Sequence, residues 1–176
     1  MRANGYTDKK QYYHVQFGDI LFYNWLVKIG LCPNKSKVMG KIDVPDQYFR
    51  DFLRGHFDGD GTCYSYWDPR WKSSFMFYVK FISASRNHID WLQERIQQLF
   101  KIKGHISFPK TQRTGQLCYA KRESSILISK MYHEKNVPCL KRKSNKIAGI
   151  LKIAYQEEFS QDADVAELAR RATLRG

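Results

Sequence analysis

Acidic residues are scarce in this chain. Against 30 Lys and Arg, its 176 residues carry 17 Asp and Glu, a formal net charge of +13 at pH 7. That imbalance concentrates polyanions at the surface and attracts phosphate backbones regardless of their sequence. Cysteine is also sparse. Cys32, Cys63, Cys118 and Cys139 form no C-x-x-C pair, so the closely spaced ligands of a structural zinc site are missing. Isolated cysteines of this kind fit a reducing compartment, where they act as small apolar residues. No apolar run approaches the length needed to cross a bilayer, and Met1 to Lys10 lacks the apolar core of a secretory signal. The expectation is a soluble protein of the cytoplasm, nucleoid or an organelle, with no membrane partner.

What the chain does have is apolar content of 43% and aromatic content of 15%. Both are high enough for a packed core, in one sizeable domain or two small ones. The basic residues are interleaved with Tyr, Trp and Phe rather than gathered in a tail. That pattern favours nucleic acid as the partner over a basic surface kept for solubility.

Periodicity places the elements. Tyr12 to Phe17 reads as a short strand. Asp19 caps a helix to about Ile29, with Leu21, Phe22, Trp25, Leu26 and Ile29 on one face and Gly30 as its stop. Pro45 opens a second helix through Phe49, Phe52, Leu53 and Phe57 to the glycines at 59 and 61. Thr62–Trp67 and Phe75–Ser83 alternate as strands around a turn at 68–72. Asn87 caps a helix that buries Ile89, Leu92, Ile96 and Leu99. Strands near His105–Pro109 and Gln116–Ala120 follow, then helices near Ser124–Tyr132 and Lys143–Phe159. Such an order defines an α+β unit with helices on one face of an antiparallel sheet.

The densest chemistry lies in Leu53-Arg54-Gly55-His56-Phe57-Asp58-Gly59-Asp60-Gly61. Gly55 and Gly59 are four apart, so they share one helix face and admit a second backbone closely. Asp58 and Asp60 fall at the C-terminal end of that helix, where the dipole disfavours anions by roughly 0.3–1 kcal/mol each. A bound cation accounts for that placement better than folding alone does. An EF-hand is excluded: its loop needs Gly at the sixth position and an acid at the twelfth, and those positions here are Cys63 and Pro69.

The stretch resembles the LAGLIDADG motif of homing endonucleases. Leu53, Gly55, Asp58, Asp60 and Gly61 match it, Phe57 and Gly59 are common variants, and Arg54 and His56 depart from it. The likeness continues through the strand and helix order to about Ile150. Phe17 to Lys37 resembles the end of a preceding repeat. The resemblance implies an αββαββα unit with a curved antiparallel sheet over residues 45–160. It also implies the C-terminal part of an earlier repeat in residues 1–44, and a tail outside the fold at 161–176.

By the same resemblance, Phe52, Gly55, His56 and Gly59 form the face that packs on a second repeat, supplied by an upstream half or by a homodimer partner. Asp60 is the implied catalytic ligand of Mg²⁺ (or Mn²⁺), with the Gly59 carbonyl beside it, and Asp58 supports the helix end. The implied reaction is hydrolysis of phosphodiester bonds in double-stranded DNA, the cation activating water and stabilising the leaving oxygen. Lys121 is the implied basic side chain beside that water, with Lys80 the lesser candidate.

The sheet and its hairpins are expected to contact DNA through Tyr64, Tyr66, Arg70, Trp71, Lys72 and Lys80, and through Lys110, Gln112 and Arg113. Lys141, Arg142, Lys143 and Lys146 are expected on phosphates, which position without specifying. A non-cleaving DNA-binding protein, an RNA-splicing maturase and an RNA-binding protein stay open as alternatives.

Overall fold

The computed structural model describes residues 16, 18–34, 36–71, 74–109, 113–134 and 136–156. Of the strand expected at Tyr12–Phe17 only Gln16 is described, and it is in no strand; the tail at 161–176 lies outside the described residues, as do Lys72, Lys110 and Gln112.

The first helix, α1, spans Ile20–Lys28 and is capped as its sequence directs: the Asp19 carboxylate accepts from the Leu21 and Phe22 amides at 2.9 and 3.0 Å. Gly30 follows at φ +104°, where a Cβ would lie 2.6 Å from the Lys41 carbonyl, so this reversal demands glycine. No residue of α1 is buried among the described residues.

Pro45 begins a single 3-10 turn, Asp46–Tyr48, and the α-helix proper, α2, runs Phe49–Asp60. Strands β1 (Thr62–Trp67), β2 (Phe75–Ser83), β3 (His105–Ser107) and β4 (Gly115–Tyr119) form one antiparallel sheet in the order β1-β2-β4-β3. Helix α3 (Arg86–Phe100) joins β2 to β3, and α4 (Lys121–Met131) follows β4. A last helix, α5, occupies 141–156. From residue 45 this is the expected helix–strand–strand–helix–strand–strand–helix unit with one further helix.

Alternation sets the layers. Phe75, Phe77, Val79 and Phe81 of β2, with Cys63, Leu117 and Tyr119 of its neighbours, are buried under the helices. There they meet Phe49, Leu53 and Phe57 of α2, Ile89, Leu92 and Ile96 of α3, and Leu127, Ile128 and Met131 of α4. The alternate residues make the sheet's open face. Two helix starts differ from expectation. Ser85, not Asn87, caps α3, because its hydroxyl accepts from the His88 amide while also donating to the Met39 carbonyl. Helix α4 starts at Lys121, directly after the sheet, so Lys121 is its first residue rather than a strand-end lysine.

Candidate active site and nucleic-acid interface

Helix α2 is anchored on one side and open on the other. Leu53 and Phe57 drive its apolar face into the core, and Arg54, 5% exposed, goes with them. Its guanidinium donates to the Pro138 carbonyl at 2.8 Å, the Met131 carbonyl at 2.9 Å and the Asp51 carboxylate at 2.6 Å. An arginine that departs from the motif thus ties α2 to the connection between α4 and α5.

His56, the other departure, stacks on His88 with ring centroids 5.2 Å apart and planes 2° from parallel. Their Nε2 atoms lie 3.0 Å apart, and His88 Nδ1 is 2.9 Å from the Gly40 carbonyl. A carbonyl only accepts, so His88 carries its proton on Nδ1 and its Nε2 accepts from His56. Burial, and then the neighbouring His88, push His56 down to about 4; burial also lowers His88. Both rings are neutral near pH 7.

On the open side of α2 a Cβ at Gly55 or Gly59 would meet nothing within 4 Å. A groove of about 360 Å³ runs along this face, lined by Leu31, Met39, Ile42, Phe52, Gly55, His56, Gly59, Asp60 and His88. Phe52, Gly55, His56 and Gly59, the expected interface residues, therefore share one surface. Phe57 does not join them, being fully buried.

The two acids have separate fates. Asp58 accepts from the Leu140 amide at 2.8 Å, joining the end of α2 to the start of α5. Asp60 is exposed, and no hydrogen bond or ion pair engages it among the described residues. It borders both the glycine groove and a second hollow of about 490 Å³, which reaches Ile82, Ser83 and Thr114 at the end of the sheet. Among the described residues no cluster of three or more His, Cys, Asp and Glu side chains is arranged to hold a metal ion.

Lys143 corrects an expectation. Rather than facing phosphates, it is buried, and its ammonium donates to the carbonyls of Phe57 and Gly61 at 2.5 and 2.6 Å. The cation that compensates the negative end of α2 is built into the fold. Lys146 likewise donates to the Cys63 carbonyl at 2.6 Å. Lys141 and Arg142 stay exposed near that end of α2. Lys121 lines neither hollow that contains Asp60.

On the sheet's open face, Tyr64, Tyr78 and Tyr66 stand as parallel slats, with centroids 5.2 Å apart for Tyr64–Tyr78 and 6.1 Å for Tyr66–Tyr78. Lys80 lies over the Tyr64 ring at 4.8 Å and donates to Gln116 Oε1 at 3.1 Å. At the hairpin turn Arg70 grips buried Asp68 through Nε and Nη2 at 3.0 and 2.8 Å, which holds the Asp68 carboxyl down at about 2. Trp71 is 69% exposed beside it, and Arg113 is exposed at the other hairpin. Sequence reasoning missed Tyr78. Its place between buried Phe77 and Val79 was the available signal.

No family model matches the chain, and no curated protein matches it. Solved structures do. The homing endonuclease I-CvuI, in complex with the I-CreI target in the presence of Mg with the DNA not cleaved, aligns with a TM-score of 0.46. Its identity is 15%, over 73% of this chain and 82% of that one. The homing endonuclease I-TnaI gives 0.45 at 13% identity, over 69% and 77%. The I-LtrWI LAGLIDADG homing endonuclease bound to target DNA gives 0.44 at 16%, over 80% of this chain and 45% of that one.

Proposed function

We propose that this chain is one catalytic repeat of a metal-dependent, site-specific DNA endonuclease. The observation that carries the reading is the division of labour at the end of α2. Asp58 holds the Leu140 amide through Oδ2, while Asp60 has no hydrogen bond or ion pair among the described residues and stands at the mouth of an open glycine groove, one hollow away from the sheet. Carboxylate and backbone carbonyl oxygens suit a hard cation, Mg²⁺ or Mn²⁺. Asp60 and the Gly59 carbonyl would hold part of its shell, leaving the rest to water, phosphate and a second acid. When bound, that cation supplies Lewis-acid stabilisation of charge on the phosphate and a more acidic water.

The chain's own contribution is positional. Lys143 and Asp58 lock the last turn of α2 against α5, so Asp60 is presented from a rigid element. Lys121 and Lys80 are proposed as the basic groups near the reacting phosphate. Tyr64, Tyr66, Trp71, Lys72, Lys110 and Arg113 are proposed on the bases and backbone, Arg70 and Lys80 on the backbone, and Lys141 and Arg142 on phosphates. The second acid comes from a second repeat across the Gly55–Gly59 face, in an upstream half or a second copy. That no residue of α1 is fully buried favours the upstream half.

The test is nicking of supercoiled plasmid bearing a selected site, with Mg²⁺ or with EDTA, in the presence of the second repeat. Asp60→Asn should abolish metal-dependent nicking and leave duplex affinity within about twofold. Wild-type rates in that variant would remove the assignment. Metal-independent binding with no cutting by the wild type would make the protein a binder.

A further inference from the structure

The open face of the β1–β2 hairpin carries a pattern that general DNA affinity does not require. Its solvent-facing positions near the turn are Tyr64 and Tyr66 opposite Tyr78 and Met76. The three phenol rings lie between 5° and 12° of parallel, with centroids 5.2, 6.1 and 6.5 Å apart. Parallel rings this close leave no room for a base between them, so the surface is poorly made for splayed single strands. They present edges and hydroxyls instead. The Tyr66 and Tyr78 hydroxyls lie 3.5 Å apart, and that contact holds the Tyr78 proton up to about 12. The row is a neutral one, with apolar ring edges and a thioether beside it.

Guanine is read chiefly by an open arginine fork or a lysine. Here the arginine fork is occupied: Nε and Nη2 of Arg70 both bond Asp68. The Lys80 ammonium is drawn back onto Gln116 Oε1 and the Tyr64 ring. What remains suits the thymine C5-methyl, which takes apolar contacts, and the O4 and N7 acceptors of a T·A pair, which a phenol hydroxyl can reach.

Resting on the proposed duplex-DNA function, we propose that Tyr64, Tyr66, Tyr78 and Met76 select a short run of T·A pairs in the major groove under this hairpin. Thymine methyls are the feature recognised, and guanine is disfavoured.

Selection from a randomised duplex library at moderate salt should return a site with a thymine-rich block. Replacing each thymine of that block by deoxyuridine removes only a methyl, and should weaken wild-type binding by about fourfold per contacted position. In Tyr66→Ala and Met76→Ala, both at solvent-facing positions and checked for native circular dichroism, the deoxyuridine penalty should shrink to within twofold. Total affinity should fall only modestly. A selected site with guanine at these positions would overturn the inference, as would a wild-type protein indifferent to deoxyuridine throughout. A penalty unchanged in both variants would overturn it too. In those cases duplex binding itself stands. Failure to select any duplex would instead remove the proposed function, and this inference with it.

Discussion

Arg54 and Lys143 show how single charges are placed by packing rather than by composition. Each ammonium or guanidinium sits on main-chain carbonyls at the two ends of the α2 anchorage. Removing the charged partner leaves the carbonyls of Met131, or of Phe57 and Gly61, without these donors in buried surroundings. Arg54→Met should therefore cost about 3 kcal/mol of stability, lowering Tm by roughly 6–12 °C for a chain of this size. A melt within 2 °C of wild type would contradict the anchoring role. His56 and His88 give a pH dependence of definite sign. Their folded pKa values lie below the unfolded value of about 6.5. Between those limits the unfolded chain binds more protons, so stability is lost as pH falls through the window from about 6.5 toward 4. The His56 contribution at pH 5 is about 2 kcal/mol. Thermal melts at pH 7 and pH 5 should show a drop that is visibly smaller in His56→Phe.

Helix α2 carries two conflicting demands. Glycine in a helix interior costs roughly 0.5–1 kcal/mol relative to alanine, and α2 has glycine at 55 and 59 with open space above both. Nothing within the described chain requires them. Gly55→Ala and Gly59→Ala should therefore raise the melting temperature of the chain alone, while weakening assembly with a second repeat, where an added methyl keeps two backbones apart. Calorimetry of the chain alone and a binding titration with the second repeat measure the two effects. If both substitutions destabilise the isolated chain, the open-face reading is wrong. Gly61 behaves oppositely: a Cβ there would meet Phe57 atoms at 2.5–2.7 Å, so Gly61→Ala should destabilise even in isolation.

Across the whole molecule, charge and exposed apolar surface supply tests of the two proposed partners. The excess of 30 basic over 17 acidic residues predicts strongly salt-dependent DNA binding. A footprint that neutralises ~8 phosphates gives a log–log slope of about −7, and a flat salt response would count against a DNA-facing surface. Helix α1 exposes Ile20, Leu21, Phe22, Tyr23, Trp25 and Val27, with Leu21 at 78%, an apolar patch unusual on a monomer. Light scattering should show self-association of the chain alone, relieved by an added upstream half. A monodisperse monomer that makes double-strand breaks would refute the need for any second repeat.

Local signals were enough to reveal the unit's architecture. Alternation marks Thr62–Trp67 and Phe75–Ser83, Asp19 caps α1, and the glycine and acid spacing of 53–61 marks the candidate site, because each depends on residues within one or two turns of one another. The start of α3 was not legible to the residue: Ser85 and Asn87 are both good caps, and the choice followed from the Met39 carbonyl that Ser85 also bonds. The roles of Arg54, His56 and Lys143 were hidden for the same reason. Their partners lie at Pro138, His88 and Phe57, 32 to 86 residues away. A sequence specifies that a lysine is present and charged. Only the packed chain decides whether the charge faces a phosphate or, as here, is drawn onto the carbonyls of a helix end that water no longer reaches.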